Sequence, residues 1–206
     1  MIIFIMKNIS ALLLLTFTSL SFACMENITK EKVTCNTNYS MEKLQTQFDE
    51  LLNTEYFDEL RDINIKLTSF KSDAYYLATG IKKLLRNKKK RHYNVRINEA
   101  LFDCAPPERA MKAILAHELV HIKDYVNKNA LKMIGFGVGY LVAPAKIERG
   151  TDYRVLKLGL VHGISDYRKW IYPKLSASDL KRKKKRYYTP TEIDRLIDDG
   201  TLYPID

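Results

Sequence analysis

The sequence predicts an α+β fold in which a small mixed β-sheet packs against a long helix. The 206 residues are 46% apolar, which is enough for one hydrophobic core and excludes a disordered or collagen-like chain. Two segments alternate apolar with polar residues, as half-buried strands do. From Glu108 to Val126 the apolar residues recur at helical spacing with no helix breaker, which predicts the long helix.

Three elements are expected before the long helix. Apolar residues from Leu44 to Leu60 recur at helical spacing after Ser40, a residue that can cap the first turn, and this pattern predicts one amphipathic helix. Two strands follow, the first within residues 62–70 and the second around residues 93–97. Their alternating apolar residues are Ile63, Ile65 and Leu67 in the first strand and Tyr93, Val95 and Ile97 in the second.

The stretch from Leu131 to Ala145 is the most apolar part of the chain after residue 23, and glycine occupies alternate positions within it. It is too short to span a bilayer. Two interpretations stay open. The stretch is either a buried, glycine-kinked helix or hairpin that packs on the long helix, or a flap that contacts a membrane.

The remaining elements are helical. Helices are expected near residues 147–160 and 165–175, before a run of basic residues. A capping box at residues 189–192, with Pro190 at the first helical position, predicts a last helix that runs to Asp199 and stops at Gly200. No linker between domains is evident, so residues 24–206 are expected to form a single domain with a basic C-terminal extension.

The long helix contains the motif HExxH at residues 117–121. Residues four apart lie on one face of a helix, so His117 and His121 can present two imidazoles to one metal ion, while Glu118 can reach a water on that ion. Zinc is the ion expected at this spacing. The alternative is a pair of surface histidines, but apolar residues surround the motif, namely Ile114, Leu115, Leu119 and Ile122.

A catalytic zinc site needs a third protein ligand and an open position for water. The extended motif HExxHxxGxxH would place Gly at position 124 and His at 127, whereas this chain has Asp124 and Asn127. Glu148 and Asp152 lie four residues apart, after an apolar stretch that could return the chain to the metal. Both carboxylates would then share one helical face.

This pattern, HExxH followed by ExxxD, resembles the gluzincin clan of thermolysin-like zinc peptidases, especially its small membrane or periplasmic members. The resemblance covers the chain from Tyr93 to about Asp152. It implies a zincin-like fold with one Zn²⁺ per chain, bound by His117, His121 and Glu148, while Asp152 orients a ligand histidine. It also implies that residues 93–97 form the edge strand on which the substrate backbone lies.

The resemblance implies hydrolysis of peptide bonds in a peptide or protein substrate. Glu118 would act as the general base, and a tyrosine or histidine would stabilise the transition state. Candidates for that last role are Tyr153, His162 and Tyr167. Two other function classes stay open: a non-catalytic, zinc-stabilised assembly factor of the cell envelope, and a lipoprotein that binds an anionic envelope surface.

The first residues resemble a secretory signal peptide. Lys7 precedes an apolar run over residues 9–17, and Ser21 and Ala23 form a small-x-small cleavage site, which predicts a signal peptide over residues 1–23 and a mature chain that begins at Cys24. The protein is therefore expected to be exported, and periplasmic in a bacterium or otherwise secreted. Acylation of Cys24 would make it a membrane-anchored lipoprotein, and an uncleaved anchor is the other alternative. With Cys24 acylated, Cys35 and Cys104 would be the only possible internal disulfide.

The chain carries a formal net charge of +10. Two basic runs extend from Lys82 to Arg91 and from Lys181 to Arg186. They predict either a solvated surface or docking to an anionic membrane or cell-wall surface. No nucleic acid is expected as a partner, because few aromatic residues lie among the basic ones and the chain is predicted to be exported.

Overall fold

A computed structural model describes residues 39–72, 77–82 and 90–204, all within one compact unit, Lys32–Asp206. These residues form an α+β fold with a three-stranded mixed sheet and a larger set of helices, which confirms the predicted class. The predicted signal peptide, Cys24 and Cys35 lie outside the described residues, as does the interior of the first basic run, residues 83–89. Cys104 is disulfide-bonded.

The sheet consists of β1 (Ile65–Phe70), β2 (Leu77–Lys82) and β3 (His92–Asn98), in the spatial order β1-β3-β2. β3 pairs with β1 in parallel and with β2 antiparallel. The expectation that residues 93–97 form an edge strand is therefore wrong, because β3 is flanked on both sides. The two edges of the described sheet are β1 and β2, and the sequence pattern did not predict β2.

The first helix, α1 (Met41–Leu52), begins where predicted, since the Ser40 hydroxyl accepts a hydrogen bond from the Lys43 N–H at 3.2 Å. It ends earlier than predicted. A separate 3₁₀-helix, Glu55–Leu60, follows, and the Thr54 hydroxyl donates to the Leu51 carbonyl at the junction. The helical spacing continued across this break because Phe57 and Leu60 are still buried in the same core.

The other helices follow in chain order: α2 (Ala100–Asp103), α3 (Glu108–Val126), α4 (Ala130–Val142), α5 (Pro144–Lys157), α6 (Val161–Ile171), a 3₁₀-turn (Tyr172–Lys174), α7 (Ala177–Arg186) and α8 (Pro190–Asp198). The bounds of α3 agree with the prediction. The predicted capping box is present at α8, where the Thr189 and Glu192 side chains each bond the other's backbone N–H. Gly200 follows that helix with φ 71°, a conformation that favours glycine.

Helix α3 lies at the centre of the fold, in contact with α1, β2, β3, α5 and α6. Its closest helical neighbour is α6, and Gly163 permits that approach. A Cβ atom at this position would lie 2.5 Å from the Arg109 carbonyl oxygen and 2.7 Å from the Ala113 Cβ. The HExxH motif is thus enclosed between the sheet on one side and α5 and α6 on the other.

Helix α4 differs from the prediction of a buried element. It is a single helix capped by Asn129, and Met133 is its one buried residue. The hairpin and buried-helix interpretations of this stretch are therefore wrong, whereas contact with a membrane stays a prediction. Among the described residues, no single helix is long and apolar enough to cross a membrane, although α4 and α5 would pass that test as a pair bent by 107°.

Candidate metal centre

Three side chains from two helices converge on one buried point. His117 and His121 lie one turn apart on α3, and Glu148 comes from α5. Oε2 of Glu148 lies 3.1 Å from His117 Nε2 and 3.4 Å from His121 Nε2, and the two imidazole nitrogens lie 3.2 Å apart. These three residues, which the sequence predicted as ligands, could hold a metal ion.

The separations fit a tetrahedral ion. Zinc binds imidazole nitrogen and carboxylate oxygen at about 2.0–2.2 Å, so two of its tetrahedral ligand atoms lie about 3.3 Å apart. The three distances here, from 3.1 to 3.4 Å, bracket that value. Two imidazoles and one carboxylate are also a donor set that suits zinc and other divalent transition metals.

Helix α5 supplies two carboxylates from one face. Glu148 and Asp152 are both buried there, as their four-residue spacing requires. The α4–α5 junction makes this possible, since Pro144 starts α5 after a sharp turn and redirects the chain toward α3. This turn explains how the chain returns to the histidines after the apolar stretch, as the sequence suggested.

Asp152 lies behind the cluster, next to His117. Its Oδ1 atom is 2.9 Å from His117 Nδ1, and the buried Arg168 guanidinium lies 3.0 and 3.1 Å from its two oxygens. The Tyr188 N–H also donates to Asp152 at 3.1 Å. Burial alone would raise the Asp152 pKa, but the Arg168 charge and the contact with His117 lower it overall. The ionised carboxylate can therefore hold His117 in the tautomer that turns Nε2 to the metal.

We expect Asp152→Asn to weaken zinc binding or turnover by about ten- to a hundredfold, the usual effect of losing a carboxylate that supports a ligand histidine. The change also leaves the buried Arg168 without its anionic partner, which typically costs about 3–5 kcal/mol of stability. Zinc affinity and thermal unfolding should therefore be measured on the same samples.

A double variant separates these two effects. Asp152→Asn combined with Arg168→Gln removes both charges, and we expect it to recover part of the lost stability without recovering zinc affinity. Wild-type zinc affinity and activity in the Asp152→Asn variant would contradict the role of Asp152.

Glu118 is buried beside the cluster but is not one of the three converging ligands. The Thr79 hydroxyl of β2 donates a hydrogen bond to Glu118 Oε2 and lies 3.3 Å from the Glu118 carbonyl oxygen. The unpredicted edge strand thus fixes the carboxylate that the sequence assigned as general base.

The three predicted candidates for transition-state stabilisation occupy different places. Tyr167 is buried beside α3, and its pKa is raised to about 12, mainly by burial, with the Glu118 charge adding to the effect and the Arg168 charge opposing it. Tyr153 lies on α5 with its ring centroid 5.4 Å from the Lys157 ammonium. Within the described ranges, no hydrogen bond, ion pair or ring contact joins Tyr153 or His162 to the three converging residues.

Sequence reasoning missed several residues at this site. The Tyr140 hydroxyl of α4 donates to Glu148 Oε1, and the Tyr187 ring lies 6.0 Å from the His117 ring. Arg168 was detectable in principle, because it occupies a core position in the helical series Val161, Ile164, Arg168, Ile171. No local pattern distinguishes Tyr140 or Tyr187 from other tyrosines.

One residue of the second basic run also faces the site. The Lys183 ammonium lies 5.0 Å from the Tyr187 ring centroid and 5.8 Å from that of Tyr167. Burial lowers the pKa of Lys183 to about 8, and the charge of Arg168 acts in the same direction. The basic run is therefore not uniformly a solvated surface.

The carboxylates of Glu148 and Asp152 stabilise positive charge at the point where a cation would bind. Burial opposes ionisation of Glu148, but its hydrogen bonds to His117 and His121 and the charges of these rings lower its pKa well below the ordinary range. Burial likewise opposes protonation of His117, yet its contacts with Asp152 and Glu148 raise its pKa to about 9. A metal ion bound between these groups would replace that proton.

Comparison of the chain with protein-family models, with curated protein sequences and with solved structures found no match. The case for a metal site therefore depends on the geometry of the three converging residues and on the contacts of Asp152 and Glu118.

Proposed function

We propose that this protein is a zinc-dependent metallopeptidase with a zincin-like catalytic core. The observation that carries the proposal is the convergence of His117, His121 and Glu148 at separations that match a tetrahedral zinc ion. The contact between Asp152 and His117 supports it, because ligand histidines commonly donate their outer N–H to a carboxylate.

When bound, zinc supplies polarisation of the scissile carbonyl and lowers the pKa of the attacking water. Glu118 accepts a proton from that water as its oxygen adds to the carbonyl carbon. Glu118 then donates the proton to the leaving nitrogen as the peptide C–N bond breaks. Thr79, through its hydrogen bond to Oε2, keeps the carboxylate turned to one side of the cluster.

The substrate backbone is proposed to bind along β2. This strand lies at one edge of the described sheet, and its Thr79 contacts the general base. An extended peptide that adds to a sheet edge gains main-chain hydrogen bonds without a requirement for particular side chains. This arrangement would align a scissile bond along the direction of β2 beside Glu118.

Burial of the site favours a second candidate, a non-catalytic envelope assembly factor that uses zinc for stability. The three ligand residues are 3–6% exposed, and Tyr140 covers one oxygen of Glu148. Structural zinc sites are closed, whereas catalytic sites keep a position for water.

The envelope assembly factor and the exported peptidase both require that the protein be exported. The disulfide at Cys104 supports export, since disulfides persist in oxidising compartments.

Metal analysis and a protease assay on the purified full chain test the proposal. We expect one zinc ion per chain and hydrolysis of an unfolded protein such as reduced casein. A chelator should stop this hydrolysis, and added zinc should restore it. Zinc without any hydrolysis, together with a lower melting temperature after chelation, would favour the structural role. A chain that purifies without metal and does not take up zinc would contradict both.

A further inference from the structure

Helix α4 presents an apolar face to solvent. Five large apolar side chains on it are exposed, with exposed fractions between 46% and 80%. They are Leu131, Ile134, Val138, Leu141 and Val142, and we call them the outer face of α4. Scattered exposed apolar residues are ordinary on a protein surface, but a contiguous patch marks a contact site.

The spacing of these residues makes the patch contiguous. At about 100° per residue, the five positions fall within an arc of about 100° around the helix. The opposite side of α4 faces the protein, where Met133 is buried and Tyr140 bonds Glu148. The inner side of α4 thus packs against the protein, whereas its outer face is exposed to solvent.

The charged residues in the chain segment that contains α4 have one sign. No Asp or Glu occurs between Asp124 and Glu148. Lys132 near the start of α4 and Lys146 just after its end are both exposed. An apolar strip with lysines at the two ends of its helix complements a surface that offers hydrocarbon and negative charge together.

The basic helix α7 adds further cationic side chains. Four of its basic residues are exposed, namely Lys181, Arg182, Lys184 and Lys185. Helices α4 and α7 both pack against α5. The second basic run therefore lies on a helix that shares a packing partner with α4.

We propose that the outer face of α4 inserts into the interfacial layer of a membrane that contains anionic lipids. The helix has 13 residues, or about 20 Å, which is too short to cross a hydrocarbon core of about 30 Å. It would therefore lie along the bilayer surface, with its apolar side chains among the acyl chains and the lysines at the head groups.

A second copy of the chain fits this face less well. A two-fold interface through α4 would bring the same lysines of both copies to its border, with no carboxylate within residues 125–147 to neutralise them. The membrane proposal does not depend on catalysis. It does place the metal centre close to the bilayer, because Tyr140 links the inner side of α4 to Glu148.

Fluorescence of an introduced tryptophan tests this contact directly. The full chain carrying Val138→Trp is mixed with vesicles of phosphatidylcholine that contain about a third phosphatidylglycerol, with bromine on the acyl chains as a quencher. The only native tryptophan, Trp170, is buried, and its signal is measured in the unsubstituted chain and subtracted. Gln45→Trp, at an exposed position of α1, is the matched control. All samples keep the same N-terminus, so any binding by that segment is common to them.

We expect a blue shift and quenching at position 138 and neither change at position 45. Adding Leu131→Ser and Leu141→Ser to the Val138→Trp chain should weaken insertion about tenfold or more, since two large apolar side chains are lost from the contact. High salt or pure phosphatidylcholine should weaken it as well. An unquenched position 138 would overturn the proposal. So would a spectral change that depends on protein concentration without vesicles, because this result would identify self-association as the role of the face.

Discussion

Glu118→Gln is expected to abolish peptide hydrolysis while the chain keeps its zinc. Positioned general acid–base catalysis contributes about 10²–10⁴-fold to such a rate, and a neutral amide cannot accept the proton. Glu118 is not among the three converging ligand residues, so the metal should remain. Glutamine also keeps a carbonyl oxygen that can accept the hydrogen bond from Thr79, so the local fold should survive.

The measurement combines zinc content, unfolding temperature and the rate of casein hydrolysis on the same preparations. Glu42→Gln is a suitable control, because Glu42 is an exposed acid in the first turn of α1 and the variant should keep full activity. Loss of zinc in Glu118→Gln would indicate that Glu118 binds the metal or supports the structure of the site. Turnover at the wild-type rate, with zinc retained, would contradict the role of Glu118 as general base.

Local signals in the sequence were sufficient for α3 and α8. The apolar spacing of α3 has no interruption between Pro107 and Asn127, and the capping box of α8 depends only on residues 189–192. Strand β2 gave no comparable signal. Its sequence, LATGIK, has small residues at positions where large apolar and polar residues would have to alternate to indicate a strand. It becomes a strand because it pairs with β3 along its whole length.

The buried interpretation of α4 was wrong for a different reason. The interpretation of an apolar stretch as buried assumes that the chain itself covers the stretch, and α4 instead leaves Leu131 and Val142 about four-fifths exposed. Periodicity identifies which residues share a face. It does not tell which surface, inside or outside the protein, covers that face.

The same distinction applies to the site. The spacing in HExxH was enough to predict that His117 and His121 share one helical face, and the resemblance of ExxxD to the gluzincin pattern implied Glu148 as the third ligand. Arg168, Thr79 and Tyr140 come from α6, β2 and α4, and they reach the site only through tertiary packing. Sequence therefore predicted the groups that could bind the metal, but not the groups that hold Asp152, Glu118 and Glu148 in place.

The second large effect is expected at the third ligand. Glu148→Ala should lose zinc, and His162→Ala should retain it. Glu148 Oε2 lies 3.1 and 3.4 Å from the two imidazole nitrogens, whereas His162 is half-buried in the first turn of α6 and has no contact with either within the described residues. Loss of an outer partner alone weakens metal binding by about ten- to a hundredfold, so loss of a direct ligand should exceed that range.

Charge leads to the same expectation. Two neutral imidazoles and one carboxylate leave a bound Zn²⁺ with a net charge of about +1, as in peptidase sites with a His₂Glu donor set. A third imidazole as ligand in place of Glu148 would leave about +2, as in His₃ sites. The ionised Glu148 accepts the Tyr140 hydrogen bond and contacts both imidazoles, so it is the expected third ligand.

Both variants should be dialysed against a weak chelator before their zinc is measured, with circular dichroism to confirm that they are folded. Glu148→Gln serves as a third sample, because its amide can still accept the Tyr140 hydrogen bond but has no charge to offer the metal. We expect it to behave like Glu148→Ala if the carboxylate is a ligand. Zinc loss only in His162→Ala would overturn the ligand set, and it would also remove the reason for Asp152 to lie one turn beyond the third ligand.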